Sequence, residues 1–469
     1  MLFFDIFIKV LNNQIKWFLY RNVLLLWCFD MKKKMIVIGA GAAGMMTAIQ
    51  ASDRYDVIVI EKNEKPGKKL YITGKGRCNV TNASDEETFL KNVVSNPRFL
   101  YSAIYSYNQE AVMRDFKKWG VDLKIERGNR IFPVSDRSSD VIKALQNQMA
   151  KRKVKVIYNS SVKKLIYEDY ESEYLKDKYL YRVKGVELSG SGRLLPADVI
   201  VLATGGLSYP STGSTGDGLK LIKGFDIEKS EPRPALVPLV TSEAFVSSLM
   251  GLSLRNVKIK VTARKEKYPA LKKDKVLYED FGEMLFTHFG VSGPLCLSAS
   301  SYISAFVYNK KNHMLSGSKP IINLDMEIDL KPALSEEELD KRVLRDFEEF
   351  HNKDFQNSLS KLLPRLMIPV VVSRCMIKPT KKVNEITAEE RKRLISTLKH
   401  FKLTINGMRG FDEAIISGGG ISVKEINPQN MELKKVKNLR VAGEIIDCDA
   451  LTGGFNLQIA WCTGYMAAD

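Results

Sequence analysis

Three glycines with GxGxxG spacing, Gly39, Gly41 and Gly44, follow the apolar run Met35 to Ile38 and open an alanine-rich stretch of helical character. The first glycine of such a motif permits a tight turn, the second lets a pyrophosphate approach the backbone, and the third lets helix and strand pack closely. The N–H groups at the start of the helix then favour an anion. In this strand-to-helix context the motif predicts a dinucleotide-binding β-α-β unit.

A carboxylate closes the second strand of the same unit. Glu61 follows the apolar run Val57 to Ile60, roughly 20 residues after the glycine motif. An acid at this place can accept hydrogen bonds from both ribose hydroxyls of an adenosine, and it disfavours a 2'-phosphate. The unit is therefore predicted to bind an adenine dinucleotide without that phosphate.

A second glycine segment, Thr204, Gly205 and Gly206, follows the strand-like run Val199 to Ala203. Glycines at this place allow a backbone to run close to a flat cofactor. A nicotinamide dehydrogenase would need only the first unit, so a second such segment favours a flavin. Taken alone, the segment is equally consistent with a structural turn.

A third segment carries acids and a glycine turn. Glu444 and Asp447 follow the run Leu439 to Ala442, and acids there can hold ribityl hydroxyls. The turn Gly453 to Gly454 opens a predicted helix, Asn456 to Ala468, and aims N–H groups at the N1 and C2-carbonyl edge of an isoalloxazine ring. Reduced flavin is negative at that edge. The sequence thus predicts FAD held by two distant parts of the chain.

Together these segments resemble the aminoacetone oxidase family of FAD-binding bacterial enzymes, to which bile-acid-reducing flavoproteins of gut bacteria are similar. The most specific shared motif is TGKGRCNVTN, Thr73 to Asn82, and the resemblance covers nearly everything from residue 31 onward. The motifs and the resemblance predict the FAD contacts. These are Gly39, Gly41, Ala42, Ala43, Gly44, Glu61, Lys62, Lys69, Arg77, Cys78, Asn79, Thr204, Gly205, Gly206, Gly443, Glu444, Asp447, Gly453, Gly454, Phe455, Asn456 and Leu457.

The fold is predicted to be α/β, with a Rossmann-type FAD-binding domain of the GR2 kind. Residues 31–209 and 406–469 are expected to form that domain. At 210–405 strand-like runs alternate with a charged helical stretch, and this change of pattern predicts an inserted domain. The resemblance implies that the insertion has a β-barrel-like part and a small helical part on the substrate side. Residues 1–30 are expected to be an extension before a natural start at Met31. Their longest apolar run is far below the roughly 20 residues of a spanning helix, so no stable membrane insertion is expected, a membrane-surface helix being the alternative.

The amino-acid composition limits the kinds of partner that the protein is expected to bind. The net charge of +18 comes from lysines scattered in twos and threes, which favours a solvated basic surface over a nucleic-acid site, with tRNA as the alternative partner. Six cysteines without a CxxC pair suit a reducing cytoplasm and predict neither disulfides nor a metal site. A small-molecule substrate is expected, and the oligomeric state is left open.

The expected reaction is hydride transfer between flavin N5 and a small amine, ketone or enone, in which the protein supplies orientation and electrostatics. The catalytic residue is left unassigned. His288 is a weak candidate for proton transfer against a structural role, Arg77 is expected at the pyrophosphate unless it merely pairs with an acid, and Cys78 is expected to pack near FAD. The glycine run Gly418 to Gly420 does not complete a second GxGxxG motif, because Val423 stands where the last glycine would be. NAD(P)H would therefore bind transiently, if at all, with oxygen as another redox partner. An RNA-modifying flavoprotein and a non-catalytic FAD-binding protein are the alternative functions.

Overall fold

The computed structural model describes residues 32–170, 179–309, 315–316 and 319–469. The expectations for residues 1–30 concern a stretch outside the described residues. Within the described ranges, no helix combines the length and the apolar character that crossing a membrane requires.

The first part of the chain alternates strands and helices. Its strands are β1 (Lys33–Ile38), β2 (Tyr55–Ile60), β3 (Thr81–Asn82), β4 (Leu123–Glu126), β5 (Arg130–Pro133), β6 (Lys155–Ile157), β7 (Val162–Asp169), β8 (Tyr181–Leu188), β9 (Leu194–Pro196) and β10 (Val199–Leu202). Its helices are α1 (Ala42–Ala51), α2 (Lys68–Ile72), α3 (Glu86–Lys91), α4 (Tyr101–Ser106), α5 (Gln109–Lys118) and α6 (Ser138–Lys151).

The middle part contains a barrel and a helical group. Its strands are β11 (Lys229–Ala235), β12 (Leu239–Thr241), β13 (Ser253–Ala263), β14 (Lys275–Phe286), β15 (Gly290–Ser292), β16 (Leu315–Ser316), β17 (Lys319–Pro320), β18 (Leu324–Asp329) and β19 (Phe401–Met408). Its helices are α7 (Asp217–Leu221), α8 (Pro294–Val307), α9 (Glu336–Glu349), α10 (Phe355–Ser358), α11 (Met367–Cys375) and α12 (Ala388–Lys399). The last part adds β20 (Ile416–Ile421), β21 (Val436–Lys437), β22 (Leu439–Val441) and α13 (Phe455–Met466).

A five-stranded parallel sheet in the order β22-β10-β1-β2-β6 is the centre of the first and last parts. Ile36 pairs with Ile58 on one side and with Ile200 on the other, and the last four residues of β1 are buried. Such continuous apolar runs are typical of parallel strands covered on both faces. The chain moves from β1 toward β2 on one side and returns at β10 on the other. The carboxyl ends of β1 and β10 therefore form the switch point, where ligands of such sheets bind.

Six antiparallel strands of the middle part close into a barrel in the order β12-β15-β14-β13-β18-β19. Alternate residues of β18, Leu324, Met326 and Ile328, are fully buried, as the period of two in a strand requires. A separate antiparallel pair, β11 with β20, links this part to the last part of the chain. The predicted fold class is confirmed, with a Rossmann-type domain and a closed barrel. The limits 210–405 of the insertion stay a prediction, and the barrel strands themselves extend from Leu239 to Met408.

Local sequence signals begin the long helices of the insertion. Ser335 accepts a hydrogen bond from the Glu338 N–H, and the Glu338 carboxylate accepts one from the Ser335 N–H. Thr387 and Glu390 form the same reciprocal arrangement at the start of α12. Each capping box satisfies N–H groups that a helix start otherwise leaves without a partner.

Helix α13 packs against α1, although the two are separated by most of the chain. The Thr47 hydroxyl donates to the Gly464 carbonyl oxygen at 2.9 Å. A Cβ at Gly464 would lie 2.6 Å from the backbone oxygen of Ala43, so only glycine allows the two helices to approach this closely. Trp461, which is fully buried, donates its indole N–H to the Val80 carbonyl oxygen at 2.8 Å.

We expect Gly464→Ala to lower the free energy of unfolding by about 1–3 kcal/mol, because backbone rather than a flexible side chain must move to make room. Urea denaturation of the apoprotein measures the change. Gly410→Ala is the matched control, since a Cβ at Gly410 would meet no atom within 4 Å. Equal effects of the two substitutions would show that the helix contact is not tight.

Candidate active site

One cavity of about 1100 Å³ opens at the switch point of the parallel sheet. Of the 22 residues predicted to contact FAD, 18 line it; the other four are Gly44, Cys78, Gly206 and Asp447. Residues of the barrel part also line it, among them Phe281 and Leu297. The structure thus brings the three glycine segments to one place. Which of these side chains touch the cofactor stays a prediction.

The first glycine loop leaves room where a pyrophosphate is expected. A Cβ at Gly41 would meet nothing within 4 Å, and Gly41 precedes the first residue of α1 with extended backbone at φ −81°. Glycine is therefore not required there by the fold itself, and the open space fits a bound anion. Gly39 has φ +104°, and its Cβ would lie 2.5 Å from the Ala203 carbonyl oxygen. Gly44 lies behind the loop, where a Cβ would clash with the backbone of Gly39.

Glu61 lies at the cavity wall and is 6% exposed. One carboxylate oxygen accepts the Ala40 N–H at 2.7 Å, and the other accepts the backbone and side-chain N–H groups of Asn63 at 2.8 Å. A carboxylate offers about four acceptor positions, so capacity for a ribose hydroxyl remains. The contact with Ala40 also fixes the glycine loop against the end of β2.

The glycine turn before α13 closes the other side of the cavity. Gly454 precedes the first helical residue with φ +98°, and its Cβ would lie 2.3 Å from the Thr81 carbonyl oxygen. The Asn82 amide donates to the carbonyl oxygens of Gly453, at 2.9 Å, and Gly128, at 3.0 Å. Asn82 also lines the cavity. The sequence motif contained Asn82, but without a role, because its bond to Gly453 spans 371 positions.

Glu444 is held by an ion pair with Lys69. Its second carboxylate oxygen accepts the Ser208 hydroxyl at 2.7 Å and the Ser417 N–H at 2.8 Å. Burial alone would raise the pKa of Glu444, but the Lys69 ammonium and these hydrogen bonds outweigh it and hold the pKa below its ordinary value of 4.5. Two of the predicted FAD residues are thus partners of each other at the cavity wall.

Asp447 has protein partners behind the cavity. Its carboxylate accepts the Ser230 hydroxyl and lies 3.8 Å from the Arg233 guanidinium, which also pairs with Asp449 at 3.1 Å. Burial raises the pKa of Asp449 despite the nearby arginine. One oxygen of each carboxylate and the Arg233 Nε atom are buried without a hydrogen-bond partner among the described residues. The predicted ribityl contact of Asp447 stays a prediction.

Arg77 lines the cavity and pairs with two acids, Glu126 and Asp136. Its guanidinium also lies 4.1 Å from the centroid of the Phe132 ring. The acid-pairing alternative for Arg77 is therefore present, and a contact with the pyrophosphate stays a prediction. Cys78 is fully buried, and burial raises the pKa of its thiol to about 12. A thiol in that state is protonated near neutral pH and is a poor nucleophile.

His288 lies in the turn between β14 and β15, exposed and edge-on to Phe289. It is not among the residues that line the cavity. Gly206 also lies outside the cavity lining. It packs against protein, since a Cβ there would lie 2.6 Å from the Ser417 hydroxyl oxygen. The proton-transfer role of His288 stays a prediction that this placement does not support.

The switch-point cavity, the glycine loops around it and the attached barrel define an FAD-dependent oxidoreductase of the Rossmann type. A family profile described as HI0933-like protein Rossmann domain matches residues 33–469, and the chain belongs to this family.

Curated relatives cover almost the whole chain. The chain is 29% identical over 435 residues to the 3-dehydro-bile acid delta(4,6)-reductase of Clostridium scindens, covering 92% of this chain and 97% of the relative. It is 28% identical to the ribosomal RNA dihydrouridine synthase of Escherichia coli, with 92% and 96% covered. Among solved structures, the 3-ketosteroid delta1-dehydrogenase of Sterolibacterium denitrificans is 14% identical, with a TM-score of 0.48 and coverage of 93% and 98%.

We expect Gly41→Val to abolish FAD retention, because its side chain would fill the space at the start of α1. The apoprotein should lose no more than about 1 kcal/mol, the usual cost of an apolar residue before a helix. FAD at a hundredfold excess over its dissociation constant should stabilise the parent protein by about 2.7 kcal/mol and the variant not at all. Visible flavin absorbance after gel filtration and urea denaturation are the measurements. A fully loaded, yellow variant would contradict this assignment.

We expect Lys69→Met to destabilise the apoprotein by roughly 3 kcal/mol at neutral pH, because Glu444 would keep its charge without the ammonium. Adding Glu444→Gln should restore part of the loss. Since the folded pKa of Glu444 is depressed, its contribution is present above pH 4.5 and is lost as pH falls through the folded pKa. The gap between parent and variant should therefore close at low pH.

Lys68→Met is the matched control for this prediction. Lys68 pairs at 2.8 Å with Glu64, four positions away, whose side chain is 59% exposed, and pairs with such a solvated partner contribute about 0–1 kcal/mol. Urea denaturation across pH measures both variants. A pH-independent loss at Lys69, or an equal loss at Lys68, would exclude the buried ion pair as the cause.

Proposed function

We propose that the protein is an FAD-dependent reductase of a carbon–carbon double bond conjugated with a carbonyl group. When bound, FAD supplies a hydride from N5 of its reduced ring. The observation that supports this proposal best is the shared cavity. It is lined by the flavin-side turn at Gly453, by Phe281 on barrel strand β14, and by Pro294 and Leu297 on the adjoining helix α8. A substrate held by the barrel part would thus lie against the flavin-binding part.

The names of two relatives describe the same bond change. A delta(4,6)-reductase acting on a 3-dehydro steroid reduces double bonds conjugated with the 3-carbonyl. A dihydrouridine synthase adds two hydrogens to the C5=C6 bond of uracil, which is conjugated with the C4 carbonyl. In both cases the hydride adds to an electrophilic carbon of the conjugated system, the β carbon in an enone or the δ carbon in a dienone, and a proton adds to the enolate that results. The common chemistry, rather than either substrate, is what we carry over.

The chain's own residues contribute binding, orientation and electrostatics. Leu236, which follows β11, and Leu297 on α8 add apolar side chains to the cavity wall, which helps to exclude water. Helix α13 begins at the cavity wall with Phe455, and a helix N-terminus stabilises a nearby anion by about 0.3–1 kcal/mol, or about 2 kcal/mol when partly buried. This favours the charge that reduction places on the ring edge. NAD(P)H is proposed as a transient electron donor.

A uracil ring in RNA is the second candidate substrate. The net charge of +18 motivates this alternative, because lysines and arginines are the residues that contact RNA phosphates. The E. coli relative carries such an activity in its name. Oxidation of aminoacetone, which the sequence resemblance implied, is the third reaction to be compared.

The test follows visible flavin absorbance without oxygen. We expect NADH or NADPH to bleach the holoprotein and a 3-oxo-4-ene steroid to restore the colour with formation of the saturated ketone. The saturated ketone itself is the matched control and should leave the flavin reduced. A uridine-containing RNA in place of the steroid identifies the second candidate, and its binding should weaken as salt rises. Bleaching by aminoacetone, with no reoxidation by either unsaturated compound, would refute the reductase proposal.

A further inference from the structure

Cations surround the outer part of the cavity, where β4 and β5 meet the barrel. Lys75, Arg77, Arg127 and Arg130 all line the cavity. Arg77 is paired with two acids, and Arg127 lies 3.6 Å from Glu283 on β14. By contrast, no described acid forms an ion pair with Lys75 or Arg130. The outer cavity therefore carries two positive charges that the described protein does not balance.

Phe132 lies against both of the segments that carry these two cations. The Arg130 guanidinium lies 5.9 Å from the centroid of the Phe132 ring, and the Arg130 Nε–H donates to the Arg127 carbonyl oxygen at 2.9 Å. A Cβ at Gly74 would lie 3.3 Å from the same ring, so the turn that carries Lys75 also packs against it. Phe132 itself is 3% exposed, which makes it a fixed support.

The backbone at Lys75 is unusual for a residue with a side chain. Lys75 has φ +59° and ψ +41°, between Gly74 at φ +58° and Gly76 at φ +85°. Glycine adopts this left-handed conformation freely, whereas other residues are strained in it. A third glycine would serve the turn alone. A lysine there is explained if its ammonium is needed at the cavity.

We propose that Lys75 and Arg130 bind an anionic group of the substrate at the outer cavity, while the double bond to be reduced lies deeper, against the flavin. The inference rests on the proposed function for the identity of the reacting bond, and not for the anion contact. Two exposed apolar residues of the outer cavity, Phe281 and Ile415, suit the hydrophobic or aromatic part of such a molecule. The anion is a carboxylate of a small acid or a phosphodiester of RNA.

The test measures equilibrium binding to the oxidised holoprotein through changes in the visible flavin spectrum, so it does not depend on turnover. The probes are a 3-oxo-4-ene steroid with a carboxylate tail, its methyl ester, and a short uridine-containing RNA. Lys75→Gly relieves backbone strain and should retain FAD. We expect Lys75→Gly, and separately Arg130→Gln, to raise the dissociation constant of an anionic probe about fivefold, which corresponds to the loss of one surface ion pair. The dissociation constant of the ester should not change.

Lys153→Gly is the matched control, because Lys153 is also exposed with φ +57° and does not line the cavity. It should change no probe's affinity. Loss confined to the steroid acid identifies a carboxylate site, and loss confined to RNA identifies a phosphodiester site. The proposal is overturned if neither anionic probe is affected, if the ester is affected equally, or if Lys75→Gly loses FAD, which would place the ammonium at the cofactor. Failure of the steroid to reoxidise the flavin would instead count against the proposed function alone.

Discussion

The structure depends on hydrogen bonds that hold helix α13 and the glycine turn before it against residues 80–82. The Thr81 hydroxyl and the Gln458 side chain are hydrogen-bonded at 2.6 Å in a buried setting, and the Gln458 amide donates to the Tyr107 carbonyl oxygen at 2.8 Å. With Trp461 bonded to Val80 and Asn82 bonded to Gly453, four contacts fix the last helix and its glycine turn. Satisfied buried networks of this kind are rigid, because breaking one bond leaves an unpaired polar group in a low-dielectric interior. The cavity has a defined shape for this reason.

Local pattern was sufficient to predict the parts of the fold that are built locally. The β-α-β unit follows from a buried strand, a glycine turn and an apolar helix within about thirty residues, and parallel strands covered on both faces have recognisable apolar runs. The sequence also predicted that the three glycine segments hold one flavin. The structure gives the reason: β1, β10 and β22 precede these segments, and the carboxyl ends of these parallel strands reach the same edge of the sheet. The barrel was expected only from the resemblance. Some of its strands pair across intervening helices, so the local alternation of apolar and polar residues does not predict a closed sheet.

The partners of individual site residues were beyond what the sequence could predict. Lys69 and Glu444 were both assigned to the cofactor, yet they pair with each other across 375 positions. Arg77 pairs with Glu126 on β4 and with Asp136 after β5, and Asp447 lies near Arg233 on the strand that links the two parts. The charge and spacing of residues in the sequence indicate what a side chain can bind. Which oppositely charged residue lies nearest to it depends on the tertiary structure. Asn82 was overlooked for the same reason, since an amide that bonds two carbonyl groups leaves no pattern in composition or periodicity.

The pairing of Thr47 with Gly464 has a consequence for biosynthesis. The two residues are 417 positions apart, so at elongation rates of about 5–20 residues per second α1 leaves the ribosome roughly 20–80 s before α13 exists to cover it. During that interval the apolar face of α1 and the edge of the parallel sheet are without their native cover. A nascent chain of this protein therefore exposes an apolar surface for most of its synthesis.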